Sequence, residues 1–379
     1  MTRRAGRRLV GKATALALLT TSCAPVASAQ FFGGGGKKKA DEAAEVTPSP
    51  GGMTITPSGS TIISLHQYQN TKLRVVEILP DGQVLAFPND AISRSEPGAP
   101  FTLDAVLGMQ CDKKGVVWML DNGRRSEVVP KLVGWDSSNN ELVKIIYLPA
   151  PTTRETSFLN DLALDPAEPF AYITDPGAGK DSALIVVDLT TGLARRVLEG
   201  HFSVISTGMD IVIDGKPLAV KRPDGSSVKP MAGAGPIAVD RKGRWVYFGA
   251  SAAEILYRIR TEHLRDTSLG RLDLESRIEG YAARPPCDGI SMDSKDNIYI
   301  SDVRTKSIGV LHPDKTYEAY VTDDRFLWPD GLCFGNDGRL YFYASQLHLM
   351  APYNAGRDLT QPPFIIYKVK ALAAGSVGR

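Results

Sequence analysis

Residues 289–302 read GISMDSKDNIYISD, a short apolar strand, a polar turn and a second strand carrying an aromatic. The same pattern recurs at 108–121 (GMQCDKKGVVWMLD), 161–175 (DLALDPAEPFAYITD), 236–250 (PIAVDRKGRWVYFGA) and 331–344 (GLCFGNDGRLYFYA). Aligned on the turn, Trp118, Tyr172, Tyr247, Tyr299 and Tyr341 share one position. Such a hairpin cannot bury both faces alone, so its repetition implies stacked neighbours. Strand-rich repeats joined by hairpin turns favour a propeller over a solenoid. The turn residues Asp112, Asp165, Asp240 and Asp293 are read as local, since a turn aspartate bonds the backbone just ahead of it.

A sixth unit surrounds the turn Pro80-Asp81-Gly82, with strands expected at 73–79 and 83–87. Third and fourth strands follow the repeats, as at 183–188 and 194–198 about Thr191-Gly192. The apolar run 364–369 is expected to pair with a strand from the N-terminal end, closing the ring and removing free edges. Helical periodicity is nearly absent; one short helix is expected at 262–266. The fold class is therefore all-β, a single six-bladed β-propeller over residues 61–372.

Residues 1–29 have the make-up of a secretory signal: Arg3, Arg4, Arg7, Arg8 and Lys12, an apolar run to Leu19, then Ala27-Ser28-Ala29. The apolar run is too short to span a bilayer, so no integral membrane span is expected. Two other readings share these residues. Cys23 is a candidate lipoprotein cysteine, although Thr20-Thr21-Ser22 is a poor lipobox, and the paired arginines suggest twin-arginine export. A secreted or periplasmic location follows. Residues 30–60, with Gly33 to Gly36, Lys37 to Lys39 and Pro48-Ser49-Pro50-Gly51-Gly52, read as a flexible leader.

The chain has 44 basic and 42 acidic residues; losing the five basic residues of 1–29 leaves 39 against 42, a net charge of −3. No nucleic-acid footprint remains. Of four cysteines, Cys111, Cys287 and Cys333 follow the signal, with no C-x-x-C pair, so buried free thiols are expected and a thiolate zinc site is excluded. G-x-S-x-G is absent, and His66, His201, His263, His312 and His348 are scattered without metal-ligand spacing.

The stretches FLNDLALD, AYITDPG, ALIVVDLTTG, RRVLEGHFSV, ILYRIRTEHLRD, CDGISMD, FLWPDGL and ASQLHLM follow one another in order. In them the chain resembles the major royal jelly protein and Yellow family over about residues 70–370. That resemblance implies a secreted six-bladed propeller and leaves function open, since propellers host unrelated activities. More distantly the chain resembles the senescence-marker-protein and gluconolactonase propellers. Those enzymes hold a divalent metal with one Glu, two Asn and one Asp. Asn160 matches one Asn and Asp288 the Asp, while the remaining positions fall near Met109 and Gly235.

The first strand of each propeller blade lines the channel, so residues entering these strands ring one mouth. Leu107, Asn160, Gly235, Asp288 and Asp330 occupy one ring position, followed by Gly108, Asp161, Pro236, Gly289 and Gly331. The second strands return to the same mouth at Asp121, Asp175 and Asp302. Converging carboxylates and an amide oxygen suit calcium or another divalent cation, for which Asn160, Asp288 and Asp330 are the candidate ligands. They equally suit an ammonium group of a small-molecule ligand, for which Asp121, Asp161, Asp175, Asp302 and the stacking residue Trp328 are the candidates. Asp121, Asp175 and Asp302 have a competing role as local caps. Three readings stay open: a ligand-binding protein, a metal-dependent lactonase or tautomerase-type enzyme, and an envelope interaction protein with an unknown partner.

Overall fold

The computed structural model describes residues 38–96, 98, 99, 101–230 and 232–379, so the signal, Cys23 and the start of the leader lie outside the described residues. Six four-stranded antiparallel sheets form six blades about a channel. The first blade comprises Pro50–Ile55, Thr61–Leu65, Val75–Ile78 and Val84–Ala86; the second, Val106–Cys111, Val116–Asp121, Lys131–Asp136 and Glu141–Tyr147. The third comprises Leu162–Leu164, Phe170–Asp175, Ala183–Asp188 and Ala194–Val197; the fourth, Ala234–Val239, Trp245–Ala250, Ile255–Arg260 and Glu279–Ala283. The fifth comprises Cys287–Met292, Ile298–Asp302, Ser307–Leu311 and Tyr317–Thr322. The sixth joins Pro329–Phe334, Arg339–Ala344 and Phe364–Lys370 to Asp41–Val46, which closes the ring. First strands of neighbouring blades touch all the way round and wall the channel.

The repeat pattern has a local cause. Tyr172, Tyr299 and Tyr341 donate their hydroxyls to Asp165, Asp293 and Asp337 of their own hairpins at 3.0, 3.1 and 3.0 Å. The other oxygen of each carboxylate accepts a turn N–H, from Ala167, Lys295 and Arg339 respectively. One aspartate thus shapes the turn and satisfies a tyrosine that packs between blades. Middle strands such as ALIVVD (Ala183–Asp188) are buried almost throughout because another blade covers each face. Apolar clusters fill the gaps between blades, as where Tyr172 and Val186 meet Ile237 and Phe248. The expected short helix is present at Thr261–Arg265, and Cys111, Cys287 and Cys333 are buried free thiols.

The flexible leader expected over 30–60 is corrected from Asp41 onward, where the structure is already regular; residues 30–37 lie outside the described residues. Asp41–Val46 is an outer strand exposed over most of its length, with Val46 buried at its end; backbone pairing to Phe364–Lys370 and the ion pairs Asp41–Arg339 and Glu42–Arg325 help hold it. Pro50–Ile55 is the channel strand of the first blade, inside the outer strands read from the sequence. Its glycines answer to close packing: a Cβ on Gly52 would lie 2.1 Å from the Leu107 carbonyl oxygen.

Beyond Lys370 the chain turns under the ring. Ser294 donates to the Ala374 carbonyl (2.9 Å), Thr54 Oγ1 to that of Gly378 (2.8 Å) and Phe334 N to that of Arg379 (2.9 Å). Arg379 Nη1 donates to the Leu164 carbonyl at 3.0 Å. This segment lies across the far ends of the first strands. Among the described residues no helix is long and apolar enough to cross a membrane.

Candidate ligand-binding site at the channel mouth

At the near end, five first strands begin with a register shift: between Pro50 and Gly52, Val106 and Met109, Ala234 and Ile237, Cys287 and Ile290, and Asp330 and Cys333. A bulge bends a strand and re-aims its side chains. Here it turns Asp288 and Asp330 into the mouth, beside Asn160 and Asp161 at the start of the third blade. Glycine next to the carboxylates lets them approach: a Cβ on Gly289 would lie 2.6 Å from Asp330 Oδ1. Above this floor the channel widens into a cavity of about 340 Å³. His66, Tyr68, Phe158, Trp328, Tyr343 and Tyr353 give it aromatic walls.

Each floor carboxylate has neutral donors. Asp288 Oδ2 accepts from Trp328 Nε1 at 2.7 Å, and the Asn160 amide also bonds it. Asp330 Oδ2 accepts the Tyr343 hydroxyl at 3.1 Å, and Asp161 Oδ1 accepts Leu162 N at 2.8 Å. No lysine, arginine or histidine forms an ion pair with any of the three among the described residues. All three are half-buried; Asp288 and Asp330 also line the cavity, while Asp161 lines the narrow floor beneath it. Burial, and secondarily the Asp288 charge, pushes the Asp161 carboxyl up to about 7. Burial followed by the charges of Asp288 and Asp161 holds the Asp330 carboxyl well above the usual range. Burial raises Asp288 too, against the hydrogen bonds from Trp328 and Asn160. The mouth is therefore negative, crowded and partly protonated near neutrality. His66, by contrast, is pushed down to about 4 by burial and then by Arg125, which keeps it neutral.

The sequence-derived residues divide into two groups. Asn160, Asp161, Asp288, Asp330 and Trp328 meet at the mouth. Asp121, Asp175 and Asp302 stand outside it, their oxygens occupied by structural partners. Asp121 takes the backbone N–H groups of Asp104 and Ala105, each at 2.8 Å, and Lys131 Nζ at 2.7 Å. Asp175 takes Arg196 Nη1 at 2.7 Å, Phe158 N at 2.9 Å and the Ser157 hydroxyl. Asp302 takes Arg304 N at 3.0 Å and Tyr317 at 3.4 Å. All three fasten the ends of second strands.

Most of the aromatic wall escaped the sequence reading because it comes from connections between blades. Residues 198–233 form an insertion between the third and fourth blades, with hairpins Val212–Ile213/Lys216–Pro217 and Val220–Lys221/Ser227–Val228. It supplies Ile211, Leu218, Pro230 and Ala232 to the cavity. Its signal was the spacing of the repeats, whose starts at 108, 161, 236, 289 and 331 leave one conspicuously long gap holding two Asp-Gly turns.

A divalent cation does not fit this donor set as it stands. Asn160 is engaged with Asp288, and the ring positions Gly51, Leu107 and Gly235 offer no side-chain oxygen. Among the described residues, no three of His, Cys, Asp and Glu converge as a metal site.

The fold and mouth define a class: six-bladed β-propellers with an acidic, aromatic-walled cavity at one end of the channel. The major royal jelly protein profile matches residues 105–372, and the chain belongs to that family. Among solved structures it is similar to a gluconolactonase candidate (TM-score 0.56, 15% identity, 91% of this chain and 96% of that one). It is also similar to a luciferin-regenerating enzyme (0.55, 11%, 90% and 98%). A third is the calcium-binding protein regucalcin of Agrobacterium tumefaciens (0.53, 12%, 89% and 98%). At these identities the likeness is one of fold. No curated protein matches the chain.

Proposed function

We propose that the protein binds a small organic cation whose ammonium group sits on Asp288 and Asp330 and whose aromatic or apolar part lies against Tyr68, Phe158 and Trp328. The observation that supports this reading is the cluster of three enclosed carboxylates without a cationic side chain. Like charges confined together hold protons when nothing else neutralises them. An ammonium ion replaces those protons and gains charge-assisted hydrogen bonds, and the aromatic faces add cation–π attraction. We further infer that residues 1–29 direct export, which N-terminal sequencing of the secreted protein would test by starting at Gln30.

The test is calorimetric titration with 2-phenylethylamine and with 2-phenylethanol, which has the same ring and chain length but no charge. Only the amine should bind. Asp288→Asn and Asp330→Asn should each weaken it about 30-fold or more, the effect of removing one partner of an enclosed charge pair. Equal binding of amine and alcohol, or unchanged binding by both variants, would overturn the reading. The competing reading is a calcium ion on Asn160, Asp288 and Asp330 from three blades, which the donor set as it stands disfavours. It requires the Asn160 amide to turn its oxygen inward, and its test is given below. No hydrolytic or tautomerising step follows from this donor set.

A further inference from the structure

The insertion that roofs the cavity has two unequal halves. The first hairpin is fixed: Ile211 and Ile213 are buried against Ala252, Val303 and Trp328, and Asp214 at its tip pairs with Lys306 at 2.7 Å. The second hairpin is held at its base, where Lys229 pairs with Asp210 at 2.6 Å and donates to the Gly208 carbonyl at 3.0 Å, and is loose beyond it. Residues 221–229 are all exposed. Its other hydrogen bonds are internal, such as Arg222 N to the Ser226 carbonyl at 2.8 Å, and none joins residues 220–228 to the blades among the described residues. Its neighbour across the mouth is the turn Ala351–Tyr353. Between them lies an open cleft of about 360 Å³, lined by Val220, Arg222 and Pro223 on one side and by Ala351, Pro352 and Gly356 on the other. Tyr68 walls both this cleft and the inner cavity, and it is 37% exposed.

We propose that ligands reach the acidic cavity over Tyr68 through this cleft, and that the hairpin 220–228 is the gate, moving against Ala351 and Pro352 while the hairpin anchored at Asp214 stays in place. Residues 374–379 lie across the far ends of the first strands, whereas the cleft opens beside Tyr68 at this end. A segment with few buried contacts and only internal hydrogen bonds opens at small free energy, whereas the anchored hairpin must give up an apolar cluster and an ion pair. The identity of the ligand rests on the function proposed above; the gate itself does not.

Two measurements on a variant in which Gly-Gly replaces residues 220–228 separate the two. The first needs no ligand: acrylamide quenching of Trp328, taken as the difference between each protein and its Trp328→Phe counterpart. A gate predicts a rise of about threefold or more in the quenching constant. Unchanged quenching overturns the proposal. The second is stopped-flow binding of 2-phenylethylamine, in which association and dissociation should both accelerate about tenfold with Kd nearly constant. Weaker binding with an unchanged association rate would make the hairpin a wall of the site and overturn the gate. If the intact protein does not bind the amine, the functional reading fails and quenching alone decides the gate. Pro352→Lys is the second variant: it faces Lys221 and Arg222, so repulsion should hold the cleft open at low salt. Quenching should rise there and return to the parent value at high ionic strength. No salt-reversible rise would again count against the gate.

Discussion

Asp161→Asn should make the protein more stable at pH 8 and leave it unchanged at pH 4. The folded protein raises the Asp161 carboxyl from 3.8 to about 7, chiefly by burial and then by the Asp288 charge. Below pH 4 both folded and unfolded chains carry the proton, so the group has no effect on stability. Between pH 4 and pH 7 the unfolded chain releases its proton while the folded one keeps it, and stability falls as pH rises. Above pH 7 both forms are ionised and the loss is constant. Three pH units at 1.36 kcal/mol each set a limit of about 4 kcal/mol. Because Asp161 is only half-buried, about 2 kcal/mol is the expected size. Asparagine keeps an oxygen for Leu162 N and removes the charge. For a propeller of this size, 2 kcal/mol corresponds to about 3 °C in Tm. Paired melting curves of parent and variant from pH 4 to pH 8 are the assay. Curves that coincide at pH 8, or a parent more stable there, would show that the mouth does not hold its carboxylates against their charge.

Other outcomes test the remaining assignments. Lys131→Met strands the buried Asp121 carboxylate and should destabilise the protein by about 3–5 kcal/mol in urea unfolding, since a buried charge loses its partner. A loss below 1 kcal/mol would mean that Asp121 is not a structural fastener. Gly289→Ala pushes a methyl group toward Asp330 Oδ1 and should weaken 2-phenylethylamine binding more than it lowers Tm; the reverse order would place the glycine in the fold alone. Calcium should leave the melting curve unchanged. A chelator-reversible rise of a few degrees, as binding at a hundredfold excess over Kd gives through about 2.7 kcal/mol, would assign Asn160, Asp288 and Asp330 to a metal if Asp288→Ala abolished it.

The ring was legible because each hairpin writes its own chemistry: the aspartate that bends the turn and the tyrosine that bonds it lie within seven residues in Asp165/Tyr172 and six in Asp293/Tyr299. The floor of the site was legible for the same reason, since Asn160, Asp288 and Asp330 occupy equivalent positions of a repeated strand. Asp121 and Asp175, at the ends of second strands, left two roles open in the sequence, ligand contact or local cap. Only the partners Lys131 and Arg196, each brought alongside by the next strands of its blade, reveal them as fasteners. Gly51-Gly52 misled because glycine marks both loose chain and tight packing, and the Leu107 backbone that decides between them is more than fifty residues away. Tyr68, Phe158 and Tyr353 sit in connections that follow no period, so no pattern could gather them.

The pairing of Asp41–Val46 with Phe364–Lys370 also sets an order of events in folding. The strand made early cannot find its partner until nearly the whole chain exists, so the ring closes last. Contacts between such distant parts of a sequence form slowly, because a long loop must first be closed. Asp288 and Asp330 meet when the fifth and sixth blades pack together, but Asp161, on the third blade, faces them across the channel only once the ring closes. Closure is thus opposed by the charges it brings together, and protons or a bound cation should speed the late phase of refolding while leaving the early assembly of single blades untouched.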